Sequence, residues 1–399
     1  MNLRNILLGC AVVLLPTTAA AQQDADRQQR LQELERRMEI LDQELEALQI
    51  GGSTQGEADP ALIHSGLGPA ASKIYQTETG VSIGGYGEML FTERMGDSGD
   101  SVDFYRAIVY FGYRFDEKWV FNSEIEWEHV DETAVEFAYI DYLHSDELNF
   151  RVGHMLMPMG ITNQMHEPTT FLTPNRPLVE RYILPSTWHE NGVALYGEVA
   201  DLSYDFAIVN GMNSDFDLAS SGMRGGRQKG SKASAEDLAY VGRVNWSPMD
   251  ELTIGGGLYI GDSAQSDSAA SDFSTTILEF HAEYQQGPWQ AQALFASATV
   301  DDADLLPTAS ASDDLSGWYV QCGYDVFADN GKDDSLVPFL HYSAYDLQED
   351  SAADTEVTRI MAGVSWQPIP QLVFKGGLSR QEQGSSEDDI LELAVGYIF

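Results

Sequence analysis

Apolar and polar residues alternate along most of the chain, from Val81 to its end at Phe399. Around Trp119, for example, Phe121, Ile125 and Trp127 are separated by polar residues. A period of two predicts a β-strand with one apolar and one polar face. Sixteen stretches of this kind have candidate starts at Val81, Tyr105, Trp119, Val135, Leu148, Gly192, Leu202, Ala239, Leu252, Thr276, Trp289, Trp318, Leu336, Glu356, Leu372 and Ile390.

The connections between these stretches alternate in length. Short ones lie at Asp116–Lys118, His144–Glu147, Val199–Asp201, Ser247–Glu251, Gln285–Pro288 and Gln367–Gln371. Longer polar ones lie at Thr92–Val102, Leu156–Asn191, Gly211–Leu238, Asp262–Phe273, Thr299–Ser316, Asp346–Asp354 and Gln381–Asp388, and only His129–Thr133 is short in this class. Short turns at one end and long loops at the other are typical of bacterial outer-membrane barrels, whose even strand number closes the sheet. We therefore predict an all-β fold, a 16-stranded antiparallel transmembrane β-barrel over residues 81–399.

The N-terminal part has three different patterns. Residues 1–21 have Arg4, a short apolar run and Ala19-Ala20-Ala21, which predicts a signal peptide cleaved after Ala21. A lipoprotein box ending at Cys10 is disfavoured because the apolar run continues beyond it. Residues 22–50 place apolar side chains at steps of three and four, which predicts a short coiled-coil helix, or alternatively a helix packed on its own domain. Residues 51–80 are aperiodic and predict a linker.

The net charge of -41, from 22 basic and 63 acidic residues, narrows the function. A chain this acidic is not expected to bind nucleic acid, which needs a basic surface. The loops after Ile260 contain many of the acids. Divalent cations bridging them to lipopolysaccharide are one interpretation, and a solvated, salt-adapted surface is the favoured one.

Several short motifs resemble the phosphate-selective porin O and P family, and the overall plan is similar to that of dicarboxylate-type porins with a coiled coil. The resemblance implies a trimeric, 16-stranded porin with one loop folded into the lumen. Two positions depart from the family, which tends to have Arg near Trp188–Asn191 and in Pro338–His341, so phosphate selectivity is not implied. The motifs are Arg151-Val152-Gly153, Pro158-Met159-Gly160, Glu180-Arg181, Gly192-Val193-Ala194-Leu195-Tyr196-Gly197, Asn210-Gly211 and Tyr319-Val320-Gln321-Cys322-Gly323-Tyr324.

A pore selects solutes through the charges that line it and through its narrowest part. The candidate functional residues are therefore charged residues at strand positions that alternate toward the lumen, together with charged residues of the longest loops. Whether the inward charges form a transverse field or simply pair with one another stays open, and the basic cluster has two interpretations, attraction of anions or bracing against acidic neighbours. The candidates are pore-lining Arg106, Arg114, Arg151, Arg243, Arg359, Lys375, Glu124 and Glu126; His166, Arg176, Glu180 and Arg181 of a constriction loop at 156–191; a basic loop cluster of Arg224, Arg227, Lys229 and Lys232; and Tyr397 and Phe399 as a signal for the barrel-assembly machinery, as in similar barrels.

The sequence thus predicts a porin in the outer membrane of a Gram-negative bacterium, contacting lipid and lipopolysaccharide. It would be a homotrimer with its N-terminal helix in the periplasm, passing small anionic or polar solutes without a cofactor. The alternative is a structural protein that ties the outer membrane to the cell wall through the coiled coil. An enzyme is not expected, because Gly80-Val81-Ser82-Ile83-Gly84 matches a hydrolase pattern but continues into a strand, where that pattern needs a turn and a helix. No metal-ligand spacing of His or Cys is present, so a metal site is not expected either.

Overall fold

A computed structural model describes Arg30, residues 36–37, 58, 63–96, 99–265, 271–328 and 331–399. The predicted signal peptide lies outside the described residues. So does the predicted coiled coil, except for Arg30, Arg36 and Arg37, which are helical. The strands are β1 Gly80–Met95, β2 Ser101–Arg114, β3 Trp119–Glu128, β4 Glu132–Ser145, β5 Leu148–Leu156, β6 His189–Val199, β7 Leu202–Asn210, β8 Leu238–Met249, β9 Leu252–Asp262, β10 Ser274–Gln286, β11 Trp289–Val300, β12 Asp314–Tyr324, β13 Ser335–Asp346, β14 Val357–Ile369, β15 Leu372–Gln383 and β16 Ser386–Ile398.

These sixteen strands form one closed barrel in which every strand pairs antiparallel with its neighbours in the chain. The seam is closed by β1 and β16, and just beyond β16 the backbone N–H of Phe399 donates to Gly85 O at 2.9 Å. Alternating apolar residues face outward and are exposed, among them Trp119, Trp246 and Trp289. The predicted 16-stranded barrel is confirmed, and every predicted strand is present.

The connections between strands are short at one end of the barrel and long at the other. The short-turn end has turns of two to four residues, except for residues 325–334 between β12 and β13. At the long-loop end, the connections 157–188 and 211–237 are the longest. One predicted long loop is wrong: in place of Gln381–Asp388, β15 and β16 meet in a tight turn at Gly384 and Ser385, where Gly384 takes a φ of +56°. Glycine adopts this conformation readily in two-residue hairpins, so the polar stretch pairs as strand.

The helices among the described residues from 63 onward are short: α1 Pro69–Ser72, α2 Leu178–Tyr182 and α3 Leu218–Ser221, with 3-10 turns at Lys73–Gln76, Met223–Gly226 and Ala303–Leu305. Among the described residues, none of the helices has the length and apolar character needed to span a membrane.

Residues 63–77, here called the inner segment, lie inside the barrel. Tyr75 Oη donates to Asp141 of β4 at 2.6 Å, Asn122 of β3 donates to Ala71 O at 3.0 Å, and Ser65 Oγ donates to Asp205 of β7 at 3.1 Å. The predicted linker at 51–80 is therefore wrong for this part. The inner segment is held by single contacts to several different strands. Such contacts impose no periodic pattern on its sequence, which therefore resembles that of a linker.

Candidate functional site

The connection between β5 and β6, residues 157–188, folds into the lumen and is here called the constriction loop. It contacts strands on several sides of the barrel. Arg243 of β8 donates to Gly160 O at 3.0 Å, and Lys375 of β15 donates to Thr173 O at 3.1 Å. On β3, Glu124 Oε1 lies 3.3 Å from His166 Nε2. The loop therefore crosses the barrel interior.

Glu167 joins the constriction loop to the inner segment. Its carboxylate accepts the backbone N–H groups of Ala70 at 3.1 Å and Ala71 at 3.0 Å, which are free donors at the start of α1. Burial raises the pKa of Glu167 to about 7, and these two hydrogen bonds oppose the shift. Together the loop and the segment form one hydrogen-bonded partition inside the barrel.

Glu180 holds the constriction loop in its fold. It accepts hydrogen bonds from the backbone N–H groups of Ile161 and Thr162, from Thr162 Oγ1, and from Tyr319 Oη of β12 at 2.7 Å. Its side chain is fully buried, and burial raises its pKa against the effect of these bonds. Glu180 thus serves as an anchor and does not line open lumen, contrary to the expectation from the loop sequence.

The other predicted loop residues differ in their exposure. His166 and Arg176 are buried, and Arg176 Nη2 donates to His166 O at 3.2 Å. Arg181 is partly exposed, with its guanidinium over the ring of Tyr182. Of the four predicted constriction residues, Arg181 has the most contact with solvent.

The cations that the sequence suggested as pore-lining are on the inner face of the wall, and most contact neighbouring acids or carbonyls. Arg106 pairs with Glu88 at 3.4 Å and Glu128 at 3.2 Å, and Arg359 pairs with Glu392 at 2.5 Å. Arg151 forms a bidentate salt bridge with Asp141, in which Nε and Nη2 lie 2.8 and 2.9 Å from the two carboxylate oxygens. These partners are on adjacent or nearby strands, so cross-pairing along the wall is favoured over a transverse field.

The remaining wall cations bond to backbone carbonyls. Arg114 donates to Tyr75 O at 2.6 Å and so holds the inner segment at the short-turn end. Lys375 lies 3.5 Å from the ring centroid of Phe171 while it bonds to the constriction loop. These residues therefore position the partition as well as contributing charge.

The basic loop cluster braces the constriction loop from the long-loop end. Arg224 donates to the carbonyls of Arg181 and Ser186, and Arg227 donates to those of Pro185 at 3.1 Å and Thr187 at 2.9 Å. Burial lowers the pKa of Arg227 to about 9, with a further contribution from Arg224. The bracing partners are carbonyl oxygens instead of the acidic neighbours that the sequence suggested, so the positive charge is not cancelled by them. Lys229 and Lys232 are exposed.

A cavity of about 1000 Å³ opens on the other side of the partition, at the short-turn end. Its wall includes seven carboxylate residues, among them Glu117, Asp205 and Glu283, against the two cations Lys118 and Arg243. The two faces of the partition therefore differ: the basic loop cluster lies against the face toward the long loops, and the cavity on the short-turn side is lined mainly by acids.

Sequence parity missed Asp141 because β4 contains a bulge. Glu136 and Phe137 are consecutive and both buried, and the register against β3 shifts at this point. A bulge inserts one residue and reverses the parity after it, so Asp141 faces inward beside Arg151. The sequence could have indicated the bulge, because without it Asp141 would face lipid, where a charge is costly.

Comparisons with known proteins agree with this architecture. Residues 84–375 match the family model described as phosphate-selective porin O and P. An uncharacterized protein of Aquifex aeolicus (strain VF5) is 36% identical over 366 residues, which is 84% of each chain. The anion-selective porin from Comamonas acidovorans has a similar fold, with a TM-score of 0.56 and 13% identity over 81% of this chain and 100% of that one. OmpT of Vibrio cholerae in its trimer form gives 0.54 and 11% over 80% and 99%. The chain belongs to the phosphate-selective porin O and P family and forms an outer-membrane channel of a Gram-negative bacterium.

Proposed function

We propose that the channel passes small hydrophilic solutes by passive diffusion and prefers anions at its long-loop entrance. The observation that supports this is the group of Arg176, Arg181, Arg224, Arg227 and Lys229 above the partition. Among the described residues, the hydrogen bonds that Arg176, Arg224 and Arg227 donate go to backbone carbonyls, and none of the three forms an ion pair with a carboxylate.

The acidic cavity at the short-turn end limits this preference. An anion that passes the partition enters a space lined mainly by carboxylates, which lowers its local concentration. We therefore infer a mild selectivity that depends on the direction of the gradient, in place of a strict anion filter.

The test is a reversal-potential measurement in a planar bilayer with a salt gradient applied from either side, with phosphate and a dicarboxylate as competitors. Arg181→Gln combined with Lys229→Gln should reduce the anion preference. At ~10 Å in water a unit charge contributes ~0.4 kcal/mol, which is about twofold in local ion concentration. Arg380→Gln is the matched control, because Arg380 is exposed and pairs with Asp389 on the outer face. An unchanged reversal potential in the double variant would contradict the proposal.

The assembly is proposed to be a homotrimer. OmpT of Vibrio cholerae, which shares the fold, is described in a trimer form. The outer surface of this barrel has a shallow apolar groove where small outward side chains, Ala282, Ala291 and Ala293, lie beside Val320 and Cys322. Small residues allow a neighbouring subunit to approach closely within the bilayer.

The orientation and envelope contacts are also proposals. The inner segment enters the barrel at the short-turn end, which supports a periplasmic position for the predicted N-terminal helix. The exposed aromatic residues suit the lipid interface, the acidic long loops suit contact with lipopolysaccharide through divalent cations, and Tyr397 and Phe399 on the seam strand suit recognition by the barrel-assembly machinery.

A further inference from the structure

Three side chains that commonly bind metals meet where the constriction loop touches the barrel wall. They are Glu124 of β3, Glu136 of β4 and His166 of the loop, and one ligand atom of each lies within 4.8 Å of the others. His166 Nε2 is 3.3 Å from Glu124 Oε1 and 3.7 Å from Glu136 Oε2. All three side chains are buried, so bulk water does not satisfy them.

The hydrogen bond on the other side of the imidazole defines its tautomer. His166 Nδ1 lies 2.8 Å from the backbone oxygen of Asn163, and a carbonyl oxygen only accepts, so Nδ1 carries the proton. In the neutral ring, Nε2 then presents a lone pair to two carboxylates. This arrangement, with Nδ1–H held by a backbone carbonyl, is the one usual for a metal-binding histidine.

The carboxylates lack donors. Both oxygens of Glu136 and Oε2 of Glu124 have no hydrogen-bond partner among the described residues. Among the described residues, the two nearby arginines form no ion pair with Glu124 or Glu136. Arg106 pairs with Glu88 and Glu128, and Arg176 donates to the His166 carbonyl. Buried acceptors without a donor are costly, so the cluster requires a positive group.

A proton on the imidazole of His166 accounts for this cluster poorly. A proton on Nε2 would meet Glu124 at 3.3 Å, whereas a charge-assisted N–H···O bond is ~2.7–2.9 Å long. It would also leave Glu136 without a donor at hydrogen-bond distance. By contrast, two ligands bound at ~2.0–2.1 Å to a tetrahedral ion are ~3.4 Å apart, close to the separations observed.

We propose that Glu124, Glu136 and His166 bind a first-row divalent transition-metal ion, with Zn²⁺ as the reference ion. Two carboxylates and one imidazole suit such an ion, and the number of protein ligands leaves a coordination position for water or a solute group. The ion would tie the constriction loop to the wall strands β3 and β4. It would therefore set the width and the local charge of the narrow part of the channel.

The test measures metal content directly. The full chain, refolded in detergent without lipopolysaccharide, is stripped with a chelator, loaded with Zn²⁺ and desalted, and the metal is quantified by mass spectrometry. We expect about one Zn²⁺ per wild-type chain and a loss of most of it in Glu136→Gln and His166→Gln. His341→Gln is the matched control, because His341 is also a buried histidine of the barrel interior but bonds to Gln321. It should retain the ion.

A second readout keeps the proposal falsifiable if a variant folds poorly. Co²⁺ bound to the wild-type protein should show visible d–d absorption bands, displaced by Zn²⁺ and independent of conductance. Wild-type protein that remains metal-free after loading, or variants that bind as much Zn²⁺ as wild type, would overturn the site. In the first case, protons alone would neutralise the carboxylates, whatever the transport activity.

Discussion

Glu167 illustrates how one side chain couples two parts of the channel. Its carboxylate receives the N–H groups of Ala70 and Ala71 and thereby holds the inner segment against the constriction loop. Its pKa, raised by burial to about 7, places its change of charge near physiological pH. Because the folded pKa is raised, its contribution to stability is full below the unfolded pKa and is lost as the pH rises through about 7.

At the residue scale, we therefore predict a pH-dependent selectivity that Glu167→Gln removes. Lowering the pH from about 8 to about 5.5 protonates Glu167 and deletes one negative charge from the lumen, so cation permeability should fall relative to anion permeability. The measurement is a reversal potential at several pH values, with Glu283→Gln as a control in the cavity. A wild-type and a Glu167→Gln profile of the same shape would disprove this role.

The constriction loop is the element on which the pore depends, and its fold rests on a few buried anchors. Glu180 satisfies four donors, three from the loop itself and one from Tyr319 on the opposite wall. Removing an acceptor leaves buried donors unpaired, which costs ~1–3 kcal/mol for each group. Loss of the Glu180 acceptor should therefore loosen the constriction loop while the barrel stays folded.

At the element scale, Glu180→Gln should give noisier and on average larger single-channel currents, while the barrel stays folded by circular dichroism. Tyr319→Phe removes only one donor and should give a smaller change of the same kind. Planar-bilayer recordings compare the two. If both variants conduct like wild type, Glu180 does not maintain the constriction.

Sequence patterns predicted the strands because lipid and water impose the alternation of side chains directly. They did not predict the β4 bulge, the tight turn at Gly384 or the inner segment, each of which depends on local pairing or on single contacts. For the site, parity placed Arg106, Arg151 and Lys375 on the inner face. It did not show that their partners are Glu88, Asp141 and a loop carbonyl, because partners depend on register and on how the loop folds back.

At the scale of the whole molecule, the outer groove leads to a prediction about assembly. Ala293→Trp fills the groove with a large ring, and should convert the trimer to smaller species if subunits pack there. Val193→Trp is the control, because Val193 is also on the outer face but lies on β6. Native mass spectrometry in detergent provides the measurement. Trimers in both variants, or a monomeric wild type, would contradict the proposed interface.

The position of the inner segment has a consequence for how the molecule is built. Its contacts run from β7 across β4 and β3 to Arg114 at the end of β2, and all of these are enclosed once β1 meets β16. We therefore expect the barrel to close around residues that precede its first strand, so that the inner segment acts as an internal template during assembly. A chain shortened to begin at Gly80 would lack this template, and any conductance measured on it would describe a different, wider pore.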